Sequence, residues 1–148
     1  EAKEGSSIEV WGSGKQTRSF LYIDECIEAT RKLMDSDFTG PVNIGSEEMI
    51  AINDFARMAI EISGKDLTID NIDGERFQAK YGFPCPIGVM GRNSDNALIR
   101  EKLGWDYTQS LRAGMKKAYA WIKQQIDESD YIYESPDGGK TIKKRRMK

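Results

Sequence analysis

The sequence predicts an α/β fold with some α+β character: a small mixed sheet with helices packed on it. Three observations predict it. Short alternating apolar and polar stretches recur between longer stretches with apolar residues at helical spacing. The 148 residues, 39% hydrophobic and 31% charged, suit one domain with a modest core. No strand signal is followed by a G-x-G-x-x-G helix opening, so the dinucleotide-binding arrangement is absent from this stretch.

The elements follow in order. "SIEVWG" alternates Ile8 and Val10 with polar neighbours, a short strand, and "RSFLYI" is a second extended segment. Asp24 is placed to cap a helix over "ECIEATRKLMDS", with Ile23, Cys26, Ile27, Leu33 and Met34 on its inner face. "GPVNIGS" predicts a buried strand through Val42 and Ile44. Asn53 reads as the cap of "DFARMAIEIS", whose inner side is Phe55, Met58, Ala59 and Ile62, and Gly64 ends it. "DLTIDNI" alternates as a strand. From Gly74 to Gly91 periodicity vanishes, and the stretch reads as an irregular loop, either a functional lid or disorder. Ser94 then reads as the cap of "DNALIREKLG", closed by Gly104. A last helix from about Ser110 carries Leu111, Met115, Ala118, Ile122 and Ile126 at helical spacing.

Composition excludes several chemistries. Without histidine there is no Ser-His-Asp triad, Cys-His pair or histidine metal site. The cysteines Cys26 and Cys85 do not make a disulfide framework, and nothing resembles a signal peptide or a spanning helix. Together these point to a reduced, cytoplasmic protein with no membrane partner. A net charge of −2 argues against a general nucleic-acid binder. The charge is uneven: "KTIKKRRMK" holds Lys140, Lys143, Lys144, Arg145, Arg146 and Lys148 and no acid, which leaves −8 on the rest. Such a block is a disordered end or an appended remnant, with nucleic-acid or membrane-surface binding as the alternative. The chain begins at Glu1, which reads as a fragment.

Two constellations suit an anion. In "GSGKQTRSF", Arg18 offers a planar, permanently charged fork, and Gln16 both donates and accepts, as a sugar hydroxyl or base edge requires. Gly12 and Gly14 would let backbone amides approach an anion; an ordinary solvated turn is the other reading. In "GRNSDN", Arg92 stands before a helix start whose dipole favours negative charge. Arginines from two loops can clamp a diphosphate. The one Tyr-x-x-x-Lys spacing, Tyr119 and Lys123, falls in the amphipathic last helix and reads as a surface pair.

The order "WGSGKQTRSFLYIDECIEA", "PVNIGSEEMIAINDFARMA", "GRNSDNALIREKLGW", then a helix ending "YAWIKQQI", strongly resembles the C-terminal part of the extended short-chain dehydrogenase/reductase family, over about residues 7 to 127. The "QTRSF", "DEC" and "GRNSDN" details narrow the resemblance to its GDP-mannose 3,5-epimerase branch. The resemblance implies the substrate-binding portion of that fold without its Rossmann domain, a nucleotide-sugar-binding domain over 1–130; the charge pattern leaves 131–148 as a basic, disordered tail. It implies that Gln16, Thr17 and Arg18 contact substrate and that Arg92 lies on its diphosphate. NAD belongs to the intact family enzyme and none is expected on this chain; no residue here is expected to be catalytic. The partners it implies are a weakly held nucleotide-diphosphate sugar and either further copies of the chain or the missing Rossmann half. The alternative is a self-associating module that kept the fold. Two departures stand out: Met90 occupies a position where relatives often carry a further arginine, and "ERFQAKYGFPCPI" looks inserted.

Overall fold

The computed structural model describes residues 3–86, 88–129, 131–134 and 143–146. The chain divides into two compact units, Glu1–Met115 and Lys116–Lys148.

In the first unit, β1 (Ser7–Trp11) pairs parallel with β4 (Thr68–Ile72), Ser7 opposite Thr68 and Trp11 opposite Ile72. A second, three-stranded sheet has the order β3 (Met49–Ala51), β2 (Thr17–Ser19), β5 (Gly91–Arg92), antiparallel on one side of β2 and parallel on the other. The α/β class and the mixed pairing are as the sequence predicts, although the strands divide between two small sheets. Helices α1 (Ile23–Met34), α2 (Ile52–Ser63) and α4 (Ala97–Leu103) fall where helical spacing placed them, and α5 (Leu111–Ser129) starts in this unit. Gly64 and Gly104 end α2 and α4 in the left-handed conformation. Ala29, Ile99 and Trp105 form a buried cluster, with Leu21, Val42, Ile44, Leu103 and Tyr107 packed against it.

Several sequence expectations are corrected. Only Arg18 and Ser19 of "RSFLYI" join a ladder, because Phe20 leaves to stack on Phe55 (centroids 4.3 Å apart) and Leu21 enters the core cluster. Val42 and Ile44 do pack on the core, yet no strand among the described residues pairs with them, so "GPVNIGS" is not a strand. Asp24 lies inside the first turn of α1 rather than at its cap, and Asn53 likewise sits inside α2. Helix α1 buries Glu25 and Ala29, while Ile23, Ile27 and Met34 are 59%, 51% and 77% exposed. The predicted inner face of α1 is therefore largely its outer one. On α5, Leu111 is buried but Ile122 is half exposed.

The largest correction is α3 (Gly74–Tyr81), inside the stretch read as irregular. Phe77 is fully buried and meets Trp11 edge-on at 5.0 Å and Tyr81 at 4.6 Å. Gly82 in the left-handed conformation closes the helix. Glu9 of β1 fastens it, accepting hydrogen bonds from Lys80, Tyr81 and, at 3.0 Å, the Trp11 indole. At the other flank Arg76 forks onto Asp70 of β4 at 2.9–3.1 Å. Two apolar anchors and two ion pairs in eight residues are too few to set a helical period, so the pattern hides the helix.

In the second unit the rest of α5 precedes a strand pair: β6 (Tyr131–Glu134) runs antiparallel to β7 (Lys143–Arg146), within the segment read from sequence as a disordered tail. Lys140 and Lys148 of that tail lie outside the described residues.

The Lys80 ammonium, with the Tyr81 hydroxyl, holds the Glu9 carboxyl down at about 2. A carboxylate depressed on folding adds stability above its unfolded value near 4.5, and that contribution disappears as pH falls through about 2. Glu9→Gln should therefore lower urea-unfolding stability at pH 7, with the gap from wild type closing toward pH 2. A gap that stays constant across that window would show that Glu9 does not fasten α3 by charge.

Candidate functional site

The glycine turn that opens "GSGKQTRSF" is held by two asparagines. Asn71 donates to the Gly12 carbonyl at 3.0 Å and Asn53 to the Ser13 carbonyl at 3.2 Å, and the two amides bond each other at 3.1 and 3.2 Å. Gly14, at φ +66°, has Asn53 Oδ1 2.0 Å from where a Cβ would stand. Glycine is required there by the asparagine's close approach, a packing reason in place of the anion expected from sequence.

Beyond the turn, the four residues expected at the site separate. Thr17 is used structurally: its amide donates to the Met90 carbonyl at 2.8 Å, and its hydroxyl lies 3.4 Å from the same oxygen. Arg18 and Arg92 come together, directly opposed in the β2–β5 ladder and lining one cleft of about 380 Å³. The cleft is completed by the "NIGS" residues and by Asn93 and Ser94, and has no carboxylate in its lining. Arg18 Nη1 donates to the Thr17 carbonyl at 2.7 Å, which holds the guanidinium against its own strand. Arg92 is exposed, and its side chain makes no hydrogen bond or ion pair among the described residues. Gln16 instead lines a second cavity of about 780 Å³, bordered by α3 and Met90.

The helix start expected to assist Arg92 does not do so. Its opening amides are already occupied, Ala97 N on Asp95 Oδ1 at 2.9 Å and Asn96 N on Glu47 Oε1 at 3.1 Å. Ser94 is not the cap either; its hydroxyl donates to Asn96 Oδ1 at 2.6 Å.

Sequence reading missed the side chains that position the arginine cleft. Asn96 is fully buried and donates to the Gly45 carbonyl at 2.8 Å, which joins "NIGSEE" to "GRNSDN". Arg100 extends the joint, forking onto Glu47 at 2.7 and 3.0 Å and reaching Asp106 at 2.7 Å. Its hydrogen bonds hold both carboxyls below the usual carboxylate range and raise its own pKa. Glu48 accepts from Leu111 N at 2.8 Å and so fixes the start of α5. Glu25 is buried and accepts three hydrogen bonds through one oxygen, from Thr108 N and Oγ1 and Gln109 N at 2.6–3.0 Å. The sequence signal was the acidic pair Glu47–Glu48 beside a small-residue strand signal, which alone reads as a solvated turn. Among the described residues no group of three or more potential ligands is placed to hold a metal, and no helix is long and apolar enough to cross a membrane.

The model of the GDP-mannose 4,6 dehydratase family matches residues 1–118. The chain belongs to this family. Its curated relatives include GDP-mannose 3,5-epimerase 1 of Oryza sativa subsp. indica and GDP-mannose 3,5-epimerase of Arabidopsis thaliana, each 48% identical over 121 residues. Those matches take 82% of this chain and 29% of each relative, so the chain spans about a third of their length. Among solved structures it is similar to UDP-glucuronic acid 4-epimerase from Bacillus cereus in complex with UDP-glucuronic acid and NAD, at 29% identity and TM-score 0.66 over 80% of this chain and 36% of that one. The fold also matches UDP-N-acetylglucosamine 4-epimerase of Methanobrevibacter ruminantium at TM-score 0.68 and 18% identity, over 80% of this chain and 35% of that one. The resemblance read from the ordered motifs to the nucleotide-sugar epimerases is thus shown.

The described residues do not fit a dinucleotide. Its pyrophosphate needs a glycine turn opening directly onto a helix N-terminus. Here β1 runs through Gly12–Gly14 into another strand, and two turn carbonyls are tied to Asn53 and Asn71.

Asn96→Ala would leave the Gly45 carbonyl and the Ser94 hydroxyl without their partner, so urea denaturation should show a loss of about 1–3 kcal/mol. Stability within error of wild type would mean water replaces the amide and Asn96 is no clamp.

Proposed function

We propose that this chain is the nucleotide-diphosphate-sugar-binding portion of an NAD-dependent sugar epimerase of the GDP-mannose 3,5-epimerase kind, with Arg18 and Arg92 on the diphosphate. One observation carries this reading: the two arginines oppose each other across β2 and β5 over a cleft without a carboxylate. Guanidinium forks match phosphate oxygens two at a time and stay charged at any relevant pH. Arg18 is already oriented by the Thr17 carbonyl, which lowers the ordering cost of binding, while Arg92 is free to swing onto the anion. The 48%-identical relatives named for GDP-mannose support that substrate class. Neither cavity has a tyrosine–lysine pair in its lining, and the glycine turn does not suit a dinucleotide. Hydride and proton chemistry therefore belong to residues outside this stretch, and by itself it binds without turning over. Intact enzymes of this kind supply NAD as the hydride carrier.

Each charge-assisted bond contributes on the order of 1.5–3 kcal/mol before exposure is discounted, so GDP should bind at about millimolar affinity. In an NMR titration, Arg18→Ala and Arg92→Ala should each weaken GDP about three- to tenfold, while Lys123→Ala on α5 should not. Equal shifts from GDP and guanosine, or shifts confined to the basic tail, would refute the clamp.

A second reading, a self-associating module, is favoured by the exposed Ile23, Ile27 and Met34 on α1. Light scattering over a wide concentration range should then show dimers that Ile27→Lys disperses; a monomer at every concentration rejects self-association.

A further inference from the structure

The family match ends at residue 118, and the strand pair β6–β7 lies beyond it, in the second unit. The net charge of −2 argues against nucleic acid for the chain as a whole, and a basic run alone reads as a solvated end. The register of the strand pair adds what the run alone lacks.

Tyr131 stands opposite Arg146, Ile132 opposite Arg145, Tyr133 opposite Lys144 and Glu134 opposite Lys143. Residues opposed across an antiparallel ladder share a face, and successive residues of a strand alternate between faces. Tyr131, Tyr133, Lys144 and Arg146 therefore share one face, and Ile132, Glu134, Lys143 and Arg145 share the other. Both tyrosines fall on the face that has two cations and no acid. Glu134, the acid of the pair, falls on the opposite face, at the register position of Lys143. Edge strands use lysine to discourage pairing with other chains, but one or two charges suffice for that. Four successive cations, registered against alternate tyrosines, exceed that purpose.

This sorting decides the chemistry of the partner. The two tyrosines stand roughly 7 Å apart along β6, a spacing that one nucleotide of extended chain covers. Aromatic rings on a strand face stack unpaired bases, and basic residues beside them take the phosphates. A duplex keeps its bases stacked on one another and could use only the cations. A membrane surface rewards an apolar group beside the charges, and Ile132, the aliphatic residue of the pair, falls on the face without tyrosines. An acidic peptide would use the charges of both faces alike and leave the tyrosines idle. We propose that the β6–β7 strand pair is a binding platform for single-stranded nucleic acid, with Tyr131 and Tyr133 stacking bases and Lys144 and Arg146 on the backbone phosphates. Stacking tolerates any base, so the platform reads strandedness and not sequence. It belongs to a different unit from the arginine cleft, and it stands or falls independently of the diphosphate reading.

Fluorescence anisotropy of labelled oligo(dT) with the full chain, over a range of salt, tests the platform. Binding should weaken with a log–log slope of about −1.5 to −3, for two to four phosphates at about −0.7 each. The variant Tyr131→Ala, Tyr133→Ala should weaken it about tenfold, and Tyr131→Phe, Tyr133→Phe should keep it. Lys144→Ala, Arg146→Ala should also lose about tenfold. Lys143→Ala, Arg145→Ala removes the same charge from the other face and should lose no more than about threefold. A duplex probe should bind more weakly than oligo(dT) and ignore the tyrosine substitutions. Equal losses from the two cation pairs, or alanine variants of the tyrosines at wild-type affinity, overturn the platform. So does a lack of oligo(dT) binding, whether or not phosphatidylserine vesicles capture the chain. Where the alanine pair loosens the ladder, the two cation pairs still decide, because they remove equal charge from opposite faces.

Discussion

The buried amide of Asn96 is the constraint on which the arginine cleft depends. It lies in a fully enclosed position, accepts a hydrogen bond from the Ser94 hydroxyl and donates one to the Gly45 carbonyl. Through those bonds two segments about fifty residues apart in sequence become the two walls of one cleft. An amide in that position is costly unless every bond is made, so the register of one wall against the other is tightly specified. Arg100, Glu47 and Asp106 brace the joint from outside, where each bond is partly screened by water. Arg92 needs no support of its own: the ladder puts it opposite Arg18, and the amide keeps the loop behind it in place.

Helix α3 shows the same economy with different chemistry. Its apolar contribution is Phe77 and Tyr81 against Trp11, and Glu9 ties the helix to β1 through three donors. Arg76 and Lys80 of α3 pair with Asp70 and Glu9, and its acids Asp73 and Glu75 line the cavity it borders. A helix of eight residues is marginal alone and is held by what it packs on. That packing also decides which of its charges are paired and which border the cavity.

The stretch that first suggested an anion site is divided by the strand it enters. Thr17 serves the sheet, Arg18 the arginine cleft and Gln16 the second cavity. Gly14 before them makes room for Asn53, and the turn is gripped by its Gly12 and Ser13 carbonyls. One seven-residue run therefore serves packing, charge and hydrogen bonding at three different places, and a linear reading merges them.

Alternation and helical spacing were enough to place β1, β4, α1, α2, α4 and α5, because each is a local period enforced by one buried side. The ordered motifs were enough to indicate the family, and Arg18 and Arg92 were legible as anion ligands because no other side chain holds its charge so firmly. What remained hidden depends on distant partners. Val42 and Ile44 read as a strand but find no ladder, and Ile23 and Ile27 read as core but face outward, since periodicity names a face without naming what covers it. Helix α3 was invisible because its stability comes from Glu9 and Trp11, more than sixty residues earlier. The sequence by itself determined the element types and the charged groups; only the tertiary structure decided which of them meet, because hydrogen bonds and ion pairs between distant segments leave no period in the chain.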